Sequence, residues 1–438
     1  MMTQHECRGE GGYGWAVVLA LFVNVLIVAG LQSSSGIIHT ELMRTTSADL
    51  SVIGWIGSLL TGLCTISSPI VSVLTRIIPC RVIAIIGNIM ISLGFFCAFF
   101  TSSVPVLILC LGVLPGIGSN LIIFSITMIL KGYFVKRLPL AFGIAFSGAG
   151  IGMLSFPPFY VYLHSSFGIK GSFLLCSAVC LNGIVLSCLA KPNTSKLRGK
   201  TPEQRVSMTK FFDFSLFNSY NFVLFVTAHL AFNIGNVAPF TYLQIKGLEL
   251  GFSEQSSALF ITALGAGSSV ARITFGWFSA KFPRIRIRSY LIVVLVASLS
   301  TLPVAFTSSY PLILVCSALF GSCAGVTHTE IPTIIIGMMG IDRLDSALSV
   351  AYLQQGIGSL IGIPLTDIVC RSVGDNNISF IFTFGITALA FLLMVLSFYL
   401  PNKPSRNVQS HEILTKFPDR KPEVFVIDVS ETRGPAAA

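Results

Sequence analysis

Residues Gly143 to Pro158 read GIAFSGAGIGMLSFPP, and residues Gln355 to Pro364 read QGIGSLIGIP. Each stretch lies in an apolar block long enough to cross a bilayer, and each sets Gly-Ile-Gly a few residues ahead of a proline. Closely spaced small residues let helix backbones approach one another inside a membrane. Two Gly/Pro-interrupted apolar segments at corresponding places in two halves of a chain are the pattern of an internally repeated helical bundle. The glycines also fit a dinucleotide loop, but such a loop follows a strand, and these sit within membrane-length apolar blocks.

The whole composition agrees. The chain has 438 residues, 53% of them hydrophobic and only 11% charged, and its mean hydropathy is +0.82. Soluble domains carry roughly 25% charged residues, so there are too few ionic side chains here to cover a globule. The apolar blocks run to about 20 residues, the length a helix needs to cross the hydrocarbon core, and no period-two alternation suggests a barrel. The formal net charge of +10 resides in connections between blocks rather than on one surface, which argues against nucleic acid. The first block is long and follows Glu6 and Glu10, so it does not read as a cleavable leader. The cysteines, including Cys64, Cys110, Cys176 and Cys323, fall mostly inside apolar blocks without metal-site spacing and read as small packing residues.

The spacing predicts spans over 14–38, 52–74, 82–101, 105–130, 139–163 and 171–190, then over 220–244, 255–280, 289–306, 311–338, 347–370 and 379–400. This makes five segments: 1–13 as an N-terminal stretch, 14–190 as one six-helix half, 191–218 as a polar basic loop, 219–400 as the second half, and 401–438 as a tail. Lys and Arg distribute unevenly over alternate sides. Only Arg44, Lys170, Lys246 and Arg371 fall on one side, and Arg272 falls inside a span; all the others fall on the opposite side. The positive-inside rule then places both termini and the central loop in the cytoplasm. The architecture expected is an all-α polytopic membrane protein with 12 transmembrane helices in two six-helix halves, the layout of the major facilitator superfamily.

Particular residues sharpen this. EGGYGWAVV, from Glu10 to Val18, resembles the acidic-Gly-Gly-Trp-Gly-Trp entry to the first helix of monocarboxylate transporters, with Tyr13 in place of the first tryptophan. YFVKRLPLAFGIAFSGAGIG, from Tyr133 to Gly152, is similar to that family's second signature. GWIGS (Gly54 to Ser58), PCRV (Pro79 to Val82), VLPGIGSN (Val113 to Asn120) and the Gly362-Ile363-Pro364 stretch extend the match over nearly all the membrane region. The resemblance implies a secondary transporter of the solute carrier family 16 type, in the plasma membrane, that moves a small organic anion or zwitterion by alternating access. It also implies a single-span ancillary glycoprotein as a partner class. Trp15 fits an interfacial aromatic anchor. Lys136 and Arg137 read either as topology determinants or as a latch on the inward gate.

Ionisable groups inside the spans are few: His229, Arg272, His328, Glu330 and, near an end, Asp367. Each is a functional candidate, because placing a charge there costs about 2.5–3.5 kcal/mol on insertion scales. At 1.5 Å per residue, Arg272 lies roughly 13 Å from the boundary marked by Lys281, and Glu330 roughly 18 Å from that marked by Asp342. The expectation is an Arg272–Glu330 pair facing a central cavity, in which a substrate carboxylate competes for the guanidinium. The alternative is that Arg272 snorkels to the interface. His229, Asn233 and Asn236 fall on one helical face, either lining the cavity or bonding helix to helix. Gln32 and Ser33 near the outer end of the first span and Asn120 in the fourth complete the substrate-binding set. Glu330, His229 and His328 are the proton-coupling candidates.

Two departures from the family pattern bear on coupling. Proton-coupled members carry a first-helix lysine where this chain has Ser33, and an aspartate four residues before the eighth-helix arginine where it has Ser268. This weakens the case for lactate-type proton symport. No nucleophile–base arrangement, phosphate loop or metal cluster is recognisable, so neither an enzyme nor a cofactor site is expected. The competing reading is a non-transporting sensor or scaffold on a transporter fold.

Overall fold

A computed structural model describes residues 12–45, 50–134, 136–192 and 214–400, and residues through Leu400 form one compact unit. The expected tail, the segment before Gly12 and most of the basic loop lie outside the described residues. Among the described residues the structure is helical throughout. In hydrocarbon no water satisfies exposed N–H and C=O groups, so continuous apolar blocks close their backbone bonds internally as helices.

Eight spans are single helices: Tyr13–Thr45, Cys80–Phe100, Tyr220–Glu249, Glu254–Lys281, Arg286–Phe306, Tyr310–Met339, Leu344–Val373 and Ile378–Tyr399. These are the first, third and seventh through twelfth. The second span is broken into Leu50–Ile66 and Ser68–Ile77 with a 48° bend. Pro69 explains the break, because it removes a helical donor and its ring clashes with the preceding turn. The fourth begins as Val104–Leu107, passes through a π-helical stretch at Ile108–Val113 and continues as Leu114–Leu130, with Pro115 just after the widened turn. The fifth and sixth form one run, Leu138–Leu189, that reverses at Gly168, where φ is 68°. Only glycine takes that backbone conformation without steric penalty. Among the described residues ten helices are long and apolar enough to cross a membrane, or eleven with the bent pair as one span. Division at Gly168 gives the expected twelve. Leu19, Trp55, Phe96, Val185 and Leu392 are exposed on the outside of the bundle, as suits a surface facing lipid.

The two quoted stretches do equivalent work. On the fifth span, Gly148 and Gly152 lie against the Phe22 and Leu26 carbonyls of the first span, where an added Cβ would approach to 2.3 and 2.2 Å. On the eleventh, Gly358 and Gly362 lie against the Leu230 and Ile234 carbonyls of the seventh, at 3.0 and 2.6 Å. The other face of each joins the halves. Gly143 faces the Arg272 carbonyl of the eighth span, which an added Cβ would approach to 2.4 Å, and Gly356 faces Thr65 Oγ1 of the second, which an added Cβ would approach to 2.5 Å. Fifth packs on first and eighth, and eleventh packs on seventh and second. This is the symmetry that an internal repeat requires.

At Gly143, Gly148, Gly152 and Gly362 the neighbour is a backbone carbonyl, so an added side chain cannot be absorbed by rotamer change. Gly152→Val should lower the melting temperature of the purified protein, with a loss on the order of 1–3 kcal/mol expected for overpacking. Gly385→Ala, in the twelfth span with nothing within 4 Å of the added Cβ, should leave it unchanged in the same thermal-shift experiment.

Candidate functional site

The eighth span carries Arg272 to the boundary between the halves because Gly143 and Gly276 let the fifth and eighth helices touch. The guanidinium is half-buried. Its Nε donates to Ser268 Oγ one turn earlier at 3.1 Å, and its Nη1 donates across the halves to the Phe146 carbonyl at 3.3 Å. Among the described residues no carboxylate lies within ion-pair distance of it. Tyr352 of the eleventh span and His328 of the tenth lie within its electrostatic range. A cation held by two neutral acceptors at membrane depth has donor capacity to spare for an anion.

The seventh-span stripe faces the same region. Asn233 Nδ2 donates to the His229 carbonyl at 2.7 Å and lies 3.1 Å from His229 Nε2. Asn236 Nδ2 lies 3.3 Å from His328 Nε2, and the two imidazole rings are 6.1 Å apart. Gln355 approaches His229 from the eleventh span. Both histidine Nδ1 atoms are buried without a protein partner. Across the boundary, Gln32 hydrogen-bonds Cys64, which neighbours Tyr352, and Phe124 meets the Tyr352 ring edge-on at 6.3 Å. The structure thus brings together Gln32, Arg272, His229, Asn233, Asn236 and His328, with Cys64, Tyr352 and Gln355 added.

Three expected residues are placed differently. Glu330 does not pair with Arg272: it is 1% exposed, its Oε2 accepts from Ser279 Oγ at 3.0 Å, and Arg286 Nη2 donates to the Ser279 carbonyl at 3.1 Å. The eighth and tenth helices are parallel but staggered. Gly325 stands level with Ser268 and Arg272, while Glu330 stands level with Ser279, two turns farther on. Measuring each depth from its own helix end assumed ends in one plane, and that assumption fails. Ser33 turns back to the Gly30 carbonyl of its own helix at 2.9 Å, and buried Asn120 donates to Ser68 Oγ at 2.8 Å, beside the bend in the second span.

The signature residues also find their places. Trp15 packs edge-on to Phe134 at 5.2 Å and Tyr13 lies 6.3 Å from Tyr133, so the two signatures meet within the first half. Tyr13 donates to the Leu189 carbonyl at 2.6 Å and Tyr133 to the Lys191 carbonyl at 2.8 Å. Lys136 and Arg137 are exposed. Polar bonds cross between the halves nearby: Lys131 bonds the Asp345 carboxylate, Ser72 Oγ donates to the Asp345 carbonyl at 3.1 Å, and Arg76 donates to Ser346 Oγ at 2.6 Å. All lie at the end of the bundle rich in Lys and Arg. The Arg272–Phe146 bond adds one more between the halves at mid-depth. Asp345 opens its helix just before the span expected over 347–370, so only the tertiary contact exposes its role.

Comparison with known proteins agrees with this arrangement. The Major Facilitator Superfamily matches over residues 20–297 and again over 248–427. The chain belongs to that superfamily. It is similar to monocarboxylate transporter 2 of Mesocricetus auratus, 27% identical over 397 residues that cover 86% of this chain and 82% of that protein. It is likewise similar to human monocarboxylate transporter 12, 28% identical over 401 residues covering 85% and 78%. The resemblance carried by the two signatures is therefore borne out. Among solved structures, the human organic anion transporter MFSD10 aligns with a TM-score of 0.68 at 12% identity, covering 88% of this chain and all of that one. The FucP transporter in its outward conformation aligns with a TM-score of 0.62 at 14% identity, covering 87% and 99%. These two show the fold.

The Lys131–Asp345 bond makes a direct test of the closed end. Asp345→Asn removes a charge-assisted bond between partly buried groups, worth on the order of 1 kcal/mol, or roughly a fivefold shift in population. Distance distributions between spin labels placed on the basic ends of the two halves should broaden toward longer separations. An unchanged distribution would show that the bond does not hold this end shut.

Proposed function

We propose that this superfamily member is a secondary transporter of a small organic anion or zwitterion, such as a monocarboxylate, an amino acid or a related metabolite. The observation that carries the reading is Arg272: a guanidinium at the seam between the halves, bonded to a carbonyl and a hydroxyl and without a carboxylate partner among the described residues. Its desolvation is offset only in part by neutral acceptors, so a carboxylate that completes its hydrogen bonds gains strongly. Tyr352, His328, Asn236 and Gln32 surround the position with polar groups from both halves, which suits a solute that must be released when the halves rock apart.

Alternating access then has two natural parts. Closure at the basic end rests on Lys131, Asp345, Arg76 and Ser346, and the solute enters from the opposite end. The positive-inside distribution supports a cytoplasmic basic end, so a closed basic end leaves entry to the outer side, at the plasma membrane. Lactate-type proton coupling is not expected. The coupling lysine and aspartate of proton-linked relatives are Ser33 and Ser268 here, and Glu330 is engaged with Ser279 away from the arginine.

The test is uptake into proteoliposomes across a panel of labelled small carboxylates and amino acids, with and without a pH gradient. We expect flux of at least one panel member, little changed by the gradient. Arg272→Ala should reduce that flux at least a hundredfold while the protein still reconstitutes, and Arg272→Lys should retain a fraction because it keeps charge without the planar fork. Wild-type flux in Arg272→Ala would contradict the assignment. Binding without flux would favour the sensor reading instead.

A further inference from the structure

The face of the eighth span away from Arg272 carries a second feature. A groove of about 680 Å³ runs along this helix, lined by Ala271, Thr274, Trp277 and Phe278, and reaches Leu140 on the fifth span and Val326 on the tenth. It opens outward beside Val270, Ile273 and Trp277, which are 63%, 39% and 51% exposed. The lining is almost wholly carbon, so an aqueous solute has nothing to bond there. At the basic end the groove meets charge. Lys281 Nζ stands 4.7 Å over the Trp277 ring and 5.5 Å over the Phe282 ring. Lys281, Arg284 and Arg288 are exposed, and none has a carboxylate within ion-pair distance among the described residues. Arg286, between them, instead turns inward to the Ser279 carbonyl. Phe282, Ile285 and Ile287 are exposed beside these cations, an apolar and basic mixture suited to the boundary between headgroups and acyl chains.

We infer that this groove is a binding site for an anionic diacyl phospholipid, with an acyl chain along Ala271, Thr274 and Trp277 and the headgroup phosphate and carboxylate held by Lys281, Arg284 and Arg288. The shape supplies the apolar slot, and the unpaired cations supply the preference for negative charge. A zwitterionic lipid fits the slot equally well but meets the three cations with no net charge. The consequence is that a lipid leans on the back of the helix whose front presents Arg272, adjacent in sequence to Ala271. This site stands independently of the transported solute and of which side of the membrane the basic end faces.

The experiment is native mass spectrometry of the full chain in detergent, titrated with phosphatidylserine, with phosphatidylcholine of the same acyl chains, and with glycerophosphoserine. Three cations at about fivefold each set an upper range, so we expect phosphatidylserine to be retained at least tenfold more tightly than phosphatidylcholine. Lys281→Gln/Arg284→Gln/Arg288→Gln should reduce phosphatidylserine retention to the phosphatidylcholine level. Because those charges also influence insertion, Thr274→Trp provides a second variant that fills the slot and keeps every charge, and it should weaken retention of both lipids. Glycerophosphoserine should not compete. Equal retention of the two lipids, retention unchanged in both variants, or full competition by the soluble headgroup would overturn the assignment. So would a protein dimer abolished by Thr274→Trp, which would give the groove to a second copy.

Discussion

Backbone-to-backbone contact through glycine is the constraint on which the rest depends. A membrane offers helices no hydrophobic drive to associate, so close packing and interhelical hydrogen bonds must hold them together. Gly143, Gly148 and Gly152 let the fifth span touch the eighth and the first, while Gly356, Gly358 and Gly362 let the eleventh touch the second and the seventh. Both seams between the halves therefore run through the two echoed stretches. The same approach brings the Phe146 carbonyl within reach of Arg272, so the packing that joins the halves also positions the charge.

Electrostatics then divides the labour among the few ionisable groups. Arg272 is left with neutral acceptors at the seam, whereas Glu330 is engaged within the second half, its Oε2 by Ser279, with Oε1 buried without a hydrogen-bond partner and Arg286 nearby in its field. Lys131 and Asp345 meet across the halves at the basic end, where side chains are only about one-fifth exposed. On the opposite side, Lys246 bonds Asn377 and the Ala305 carbonyl, and Asp367 pairs with Arg371, all within the second half. The side-chain bonds seen between the halves thus gather at the basic end, the asymmetry an alternating-access device needs in one of its states.

Much of this was legible in the chain. The spans, their division into halves and the equivalence of the fifth and eleventh helices follow from apolar block length and from where glycine and proline interrupt it. Arg272 and the His229, Asn233, Asn236 face were legible because charge or amide at membrane depth is rare. The Arg272–Glu330 pair was not, because sequence gives distance along one helix but not the stagger between two. Nor was the role of Asp345, a helix-start carboxylate indistinguishable in sequence from any loop charge. The bend at Pro69 was not legible either, because the apolar block over 52–74 runs on through the kink. Tyr352 and Gln355 were not legible as site residues, since an uncharged tyrosine and glutamine beside the Gly356–Pro364 run carry no signal of their own in an apolar span.

The central claim is that the unpaired guanidinium of Arg272 is the anchor for an anionic group of the solute. A structure of the protein determined with a transported carboxylate bound tests this most directly. The account predicts carboxylate density on Arg272, between Tyr352 and His328, with Glu330 still on Ser279. Density elsewhere, or an Arg272 side chain turned onto Glu330, would contradict it.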